Sequence, residues 1–184
     1  MNIQGINIID NFFSEQNFTG IYMASEFMQY SATHQPQSDF YETRYHGYPV
    51  HETQDWINDS EAYIIFKNTF EEHTKTNIQY LKILFRKAYK EEVIKSPHKN
   101  KNEGIIHVDT VNDVDYAGVV YLNNHTLNNG TRIYSDENKL EPSVIVGAKP
   151  NRCVFYKKDI PHSVGIDWNV EQRKTLVFFV KIEK

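Results

Sequence analysis

His107-Val108-Asp109 sets an imidazole and a carboxylate two residues apart. On an extended strand residues i and i+2 project to the same face, so both groups can reach one cation. Alone, a His-x-Asp pair is a weak signal, because a surface pair in any strand reads the same way. Pro161-His162-Ser163-Val164 supplies a third ligand, shortly after the apolar run Cys153-Val154-Phe155-Tyr156. Two neutral histidines and one carboxylate form the facial set that holds Fe(II) while leaving positions open for substrate or O2. Two positive charges on the ion less one on Asp109 leave a net positive centre, suited to an anionic co-substrate. The far end of that anion needs a fixed cation. Arg173 heads the otherwise apolar run ending at Val180, where an unpaired charge is costly to bury. Its guanidinium can bind a carboxylate through two parallel hydrogen bonds and stays charged at any relevant pH. Tyr121 offers a hydroxyl from inside Val119-Val120-Tyr121-Leu122.

These groups need elements to position them. Residues 3–13 form a β-branched and aromatic run, read as a strand; Ser14 and Asn17 then open a helix whose Phe18, Ile21, Tyr22 and Met28 recur at near-helical spacing. Residues 31–55 turn polar, with Pro36, Gly47 and Pro49 as breakers, and predict extended segments and turns. Asp55 to about Thr74 predicts a second helix, with Asp59 or Ser60 as internal interruptions. From Ile78 to Phe85, and on towards Tyr89, apolar residues stand on both parities, as in a strand buried on both faces. A charged loop, 94–104, closes at Gly104 and is a candidate lid. Strand-like runs follow at 105–109, 116–123, 131–135, 143–147, 152–157, 161–166 and 173–182, with a turn expected at Asn128-Asn129-Gly130. The cadence argues for a mainly β chain with N-terminal helices, folded as a two-sheet sandwich or barrel. In a jelly roll of this kind the strands of His107 and His162 are expected to face each other across the barrel mouth.

Composition narrows the partners. The 184 residues suit one domain, and 40% hydrophobic residues suffice for one sizeable core. Aromatics reach 14%, a composition that favours half-buried strand positions. With 20 Lys+Arg against 24 Asp+Glu the formal charge is −4, which disfavours a nucleic-acid partner, since phosphate contacts depend on Lys and Arg. Cys153 is the only cysteine, so no intrachain disulfide forms, and a reducing compartment is compatible. The N-terminus shows no positively charged leader and no long apolar run, so the expectation is a soluble, cytoplasmic protein without a membrane span.

The string HVD, YLN at 121–123, the Asn129-Gly130 pair with Thr131-Arg132-Ile133-Tyr134, Asn151-Arg152-Cys153-Val154-Phe155 leading to Pro161-His162, and Arg173 before an aromatic strand resembles the prolyl-hydroxylase-like branch of the 2-oxoglutarate/Fe(II)-dependent oxygenases. The likeness covers roughly 76–182, and Ile8-Ile9-Asp10-Asn11-Phe12-Phe13 also looks like the opening strand and helix start of that branch. It implies a single domain over 1–184: N-terminal support to about 75 and a double-stranded β-helix, the cupin-like jelly roll, over 76–182. It further implies His107, Asp109 and His162 on iron, Arg173 gripping the far carboxylate of 2-oxoglutarate, and Tyr121 hydrogen-bonding the same group. Val164, Thr131 and Phe179 would wall the co-substrate pocket. The reaction so implied is hydroxylation of an amino-acid side chain, free or in a peptide, with 2-oxoglutarate and O2 consumed and succinate and CO2 released. Two departures, Asn129-Gly130 in place of paired glycines and a longer, more basic 94–104 loop, touch no ligand but bear on the substrate.

Plainer readings stand beside this one. His34, His46, His51, His73, His98 and His125 lack a partner at ligand spacing and fit surface or hydrogen-bonded structural roles. Asp113 and Asp115 fit a solvated turn. Lys95, Lys99 and Lys101 fit a solvated loop, or a lid for an acidic substrate. Trp56 and Trp168 fit packing, and Cys153 a small core residue. Tyr116 and Asn123 fit either the pocket or strand packing. Two other functions are compatible: an oxygenase acting on a nucleobase or small metabolite, and a non-catalytic jelly-roll binding or structural protein.

Overall fold

The computed structural model describes residues 2–3, 5–32, 50–53, 60–93, 106–109, 111–123, 126–136, 141–165, 167 and 169–183. The candidate lid with its lysines, Trp56, Trp168, His34, His46, His98, His125 and the breakers Pro36, Gly47 and Pro49 lie outside the described residues.

In chain order the elements are β1 (Asn2–Ile3), β2 (Ile6–Ile9), α1 (Glu15–Phe27), β3 (Ser31–Ala32), β4 (His51–Glu52), α2 (Glu61–Thr74), β5 (Ile78–Tyr89), α3 (Lys90–Val93), β6 (Tyr116–Tyr121), β7 (Thr126–Ile133), β8 (Val144–Ala148), β9 (Cys153–Lys157), β10 (His162–Val164) and β11 (Gln172–Ile182). They form an eight-stranded sheet in the order β1-β2-β9-β6-β11-β5-β4-β3 and a three-stranded sheet in the order β10-β7-β8. Every described pairing of named strands is antiparallel. The two sheets pack face to face through Ile133 and Val146 of the smaller and Tyr121, Val154, Tyr156, Val177 and Phe179 of the larger. This is the jelly roll, a double-stranded β-helix, with helices added N-terminally.

Strand alternation sorts the residues of the large sheet into two environments. Ile83, Phe85, Leu176 and Phe178 face the helices and meet Ile21 of α1 and Phe66 and Phe70 of α2. Leu84, Val177 and Phe179 face the smaller sheet. Both faces of β5 are therefore buried, as its sequence predicts. Ser14 caps α1 by accepting from the Asn17 N–H at 3.2 Å. Ser60 does the same for Tyr63 at 3.2 Å, so it starts α2 instead of interrupting it. Asn151, in the left-handed region at φ 61, accepts from the Phe13 N–H and donates to the Phe13 carbonyl, both at 2.9 Å, and so ties the N-terminal segment to the loop before β9. Among the described residues no helix is long and apolar enough to cross a membrane.

Two expectations are corrected. Asn128-Asn129-Gly130 is not a turn but lies inside β7, at a register irregularity against β8 between Thr126 and Thr131. Gly130 is needed there for close approach: a Cβ on it would lie 1.8 Å from the Val146 carbonyl oxygen. Further, the segments of His107 and His162 do not face each other across the barrel. They lie side by side, each residue's N–H donating to the other's carbonyl at 2.9 Å. Asp115 is half-buried, and its Oδ2 accepts from the Ile182 N–H at 3.0 Å and pins the end of β11.

Candidate metal centre

The backbone bridge between His107 and His162 brings residues 55 positions apart into register, and Asp109 follows two residues on, its N–H donating to the Lys158 carbonyl at 3.1 Å. As a result one ligand atom from each of His107, Asp109 and His162 lies within 4.8 Å of the others. The imidazoles sit 4.4 Å apart, centroid to centroid, and Tyr156 packs 4.6 Å from His162 on its other side. His162 Nδ1 is 3.0 Å from the Ile160 carbonyl, which can only accept; Nδ1 therefore carries the hydrogen and Nε2 is left bare, 3.6 Å from Asp109 Oδ2. Burial, with the His107 imidazole and the Arg86 guanidinium close enough to oppose a further positive charge, holds His162 down to about 3, so it is neutral and ready to ligate. Burial also pushes Asp109 up, against the pull of His107 and Arg86. Two imidazoles and a buried carboxylate fit Fe(II) or a similar divalent ion.

Beyond the triad the inner face of the large sheet carries Arg173. It is 7% exposed, its Nε donates to the Asn129 carbonyl at 3.1 Å, and its Nη2 has no hydrogen-bond partner. A buried guanidinium nitrogen left this way costs free energy unless a ligand completes it. The guanidinium lies 5.7 Å from the centre of the Tyr121 ring. The Tyr121 hydroxyl is bonded to Thr131 Oγ1 at 2.6 Å and both residues are buried, so Tyr121 and Thr131 form one unit between the sheets. Val164 pairs with Thr131 across β10 and β7, and Phe179 stands in the layer between the sheets. Tyr156 links the two groups: it packs against His162 and shares the layer between the sheets with Tyr121, beside whose ring Arg173 lies.

The ambiguous residues resolve to structure. Tyr116 packs edge-on against Phe155 on the helix side, and Asn123 bonds the Gln172 carbonyl and the Lys174 N–H at the mouth of β11. His51 pairs with Glu92, and His73 meets the Phe12 carbonyl at 2.8 Å. Cys153 is fully buried, and burial pushes its thiol well up, away from reactive thiolate. Sequence reasoning missed Thr175, whose buried Oγ1 has no partner, and Arg86, whose charge reaches the triad. Parity along β11 could have found Thr175, two residues after Arg173; Arg86 needed the strand pairing.

No protein-family model matches the chain, and no curated protein does. Solved structures do match in fold. A 2OG-Fe(II) oxygenase family oxidoreductase from Burkholderia pseudomallei is 10% identical, with TM-score 0.67 over 96% of this chain and 85% of that one. A prolyl hydroxylase from Trichoplax adhaerens, solved with a hypoxia inducible factor oxygen degradation domain peptide fragment, is 16% identical, with TM-score 0.63 over 96% and 83%. HygX from Streptomyces hygroscopicus, solved with nickel and 2-oxoglutarate bound, is 8% identical, with TM-score 0.60 over 96% and 82%. The chain shares the fold of these oxygenases.

Proposed function

We propose that this chain is a non-haem Fe(II)- and 2-oxoglutarate-dependent dioxygenase that hydroxylates an amino-acid side chain, free or in a peptide, releasing succinate and CO2. One observation carries the reading: a two-histidine, one-carboxylate set within 4.8 Å shares an interior with a buried arginine whose Nη2 lacks a partner. The neighbours' nickel, 2-oxoglutarate and peptide support it. Residues 1–184 act as one oxygenase domain, a view supported by the core that joins α1 and α2 to the large sheet.

Fe(II), 2-oxoglutarate and O2, when bound, supply the oxidising chemistry. His107, Asp109 and His162 would hold the metal, with the Ile160 carbonyl fixing the His162 tautomer so that Nε2 faces inward. Arg173 would bind the distal carboxylate of 2-oxoglutarate, its Nε anchored on Asn129 and its Nη2 free to donate. Tyr121, kept protonated by burial, and Thr131 would share a hydroxyl chain with that carboxylate. Phe179 and Val164 would wall the pocket and keep water from it.

The test is succinate release by the purified chain under air with Fe(II) and 2-oxoglutarate. The wild type should turn over, and His162→Ala should lose both turnover and tight metal binding. No succinate from the iron-loaded wild type overturns the reading.

A further inference from the structure

The inner face of the large sheet holds a polar row that the co-substrate pocket does not use up. Pairings Tyr121↔Thr175, Thr175↔Arg86 and Arg86↔Glu52 set one residue from each of β6, β11, β5 and β4 on a single line. Directly paired residues project to the same side of a sheet. Tyr121 belongs to the layer between the sheets, so Arg86 and Glu52 share the face that bears Arg173.

Burial is uneven along this row. Tyr121 and Thr175 are at 1% and 0% exposure, whereas the Glu52 and Arg86 side chains reach 15% and 34%. The co-substrate would take the deep end; exposure peaks at Arg86 in β5 and falls again at Glu52 in β4. Arg86 lies on the same face of β5 as Leu84, which packs in one layer with Tyr156, the ring set against His162. Arg86 Nε donates to Glu52 Oε1 at 2.7 Å, and Nη2 meets the same oxygen. The pair uses Nε and Nη2 of Arg86 and Oε1 of Glu52, so Nη1 and Oε2 take no part in it. The pair thus carries no net charge and offers N–H donors beside a carboxylate acceptor.

We propose that Arg86 and Glu52 dock an uncharged amide of the primary substrate, the guanidinium donating to its carbonyl oxygen and Glu52 Oε2 accepting its N–H. The proposal rests on the oxygenase reading and assigns the substrate's recognition element. Charge selects an amide over a carboxylate. Arg86 and Arg173 balance Asp109 and Glu52, and a ferrous ion balances the 2-oxoglutarate dianion. A carboxylate would add an unbalanced charge beside Glu52 and has no N–H for Glu52 to accept, whereas an amide supplies both a carbonyl oxygen and an N–H. The amide can come from a peptide bond or from a carboxamide group, and the two sources are separable.

The experiment reads succinate release by the full chain with Fe(II) and 2-oxoglutarate under air, against three probe sets. These are pools of short peptides blocked at both ends, free asparagine and glutamine, and free aspartate and glutamate, which carry carboxylates and no amide. Stimulation by blocked peptides is expected for a peptide-bond source, and by asparagine or glutamine for a carboxamide source. In either case Arg86→Gln should raise the KM for the stimulating probe about tenfold or more while the KM for the co-substrate moves by less than about twofold. Arg86→Lys, which keeps the charge without the fork, should not restore it. Stimulation confined to the free-carboxylate set, full rescue by Lys, an unmoved probe KM in Arg86→Gln, or no stimulation by either amide set overturns the docking assignment. Wild type that releases no succinate even without a probe instead overturns the oxygenase reading beneath it.

Discussion

Arg173 illustrates how one side chain can be held for a task the bare protein does not complete. Its Nε is spent on Asn129 and its aliphatic stem is buried, while Nη2 is oriented without a partner. A fixed fork costs little further entropy on binding and gives a charge-assisted hydrogen bond to a carboxylate, on the order of 2–3 kcal/mol. Arg173→Ala should therefore raise the KM for 2-oxoglutarate about 30- to 100-fold while changing kcat less, and Arg173→Lys should recover only part. Initial rates at varied 2-oxoglutarate check this; an unchanged KM would remove Arg173 from the co-substrate site. The residue was legible in the sequence because a charge enters an apolar strand there. His107, Asp109 and His162 were legible for a similar reason, as ligand types at ligand spacing. Arg86 was not, because Arg86-Lys87 reads as an ordinary solvated end of a strand until the pairing with Glu52 turns one residue inward.

At the level of elements, the strand cadence and both long helices could be read, but local turn chemistry misled at Asn128-Asn129-Gly130. Tertiary approach overrides the turn preference of that triplet: β8 runs so close to β7 that only a residue without Cβ fits opposite Val146. The same stretch positions the site, since the Asn129 carbonyl holds Arg173 and Thr131 holds Tyr121. Gly130→Ala must then push β8 away or bend β7, with an overpacking cost of about 3 kcal/mol. A urea melt should show a lower midpoint at unchanged slope, and 2-oxoglutarate affinity should weaken with it. Wild-type stability in that variant would mean that the two strands have slack. Ser60 offers a milder contrast. Read from sequence as an interruption, it caps α2, and Ser60→Ala should cost about 1 kcal/mol without touching turnover.

Across the whole molecule, the site's needs and the fold's stability meet in their response to acid. An imidazole in the unfolded chain takes its proton near 6.5, but folding holds His162 neutral down to about 3, chiefly by burial. Through that interval the unfolded state binds more protons, so stability is lost as pH falls from about 6.5 towards 3. Asp10 acts in the same direction over a lower window: its hydrogen bond from Arg152, assisted by Lys149, holds it down to about 2 against an ordinary 3.8, so its contribution is present above that value and lost as pH drops through 2. Its carboxylate is 40% exposed, and solvent screening limits the contribution to about 0.5 kcal/mol. Urea midpoints of the metal-free chain over a pH series should therefore begin to fall just below 6.5, well above the carboxylate range. His162→Gln should flatten that upper part of the curve and leave the lower part in place, whereas Asp10→Asn should lower the midpoint slightly at neutral pH and converge with wild type near pH 2. A divalent ion should shift the upper limb to lower pH, because ligation holds the imidazole in the form that folding already imposes. If His162→Gln declines as steeply as wild type between 6.5 and 5, the buried neutral imidazole is not what makes the fold acid-sensitive.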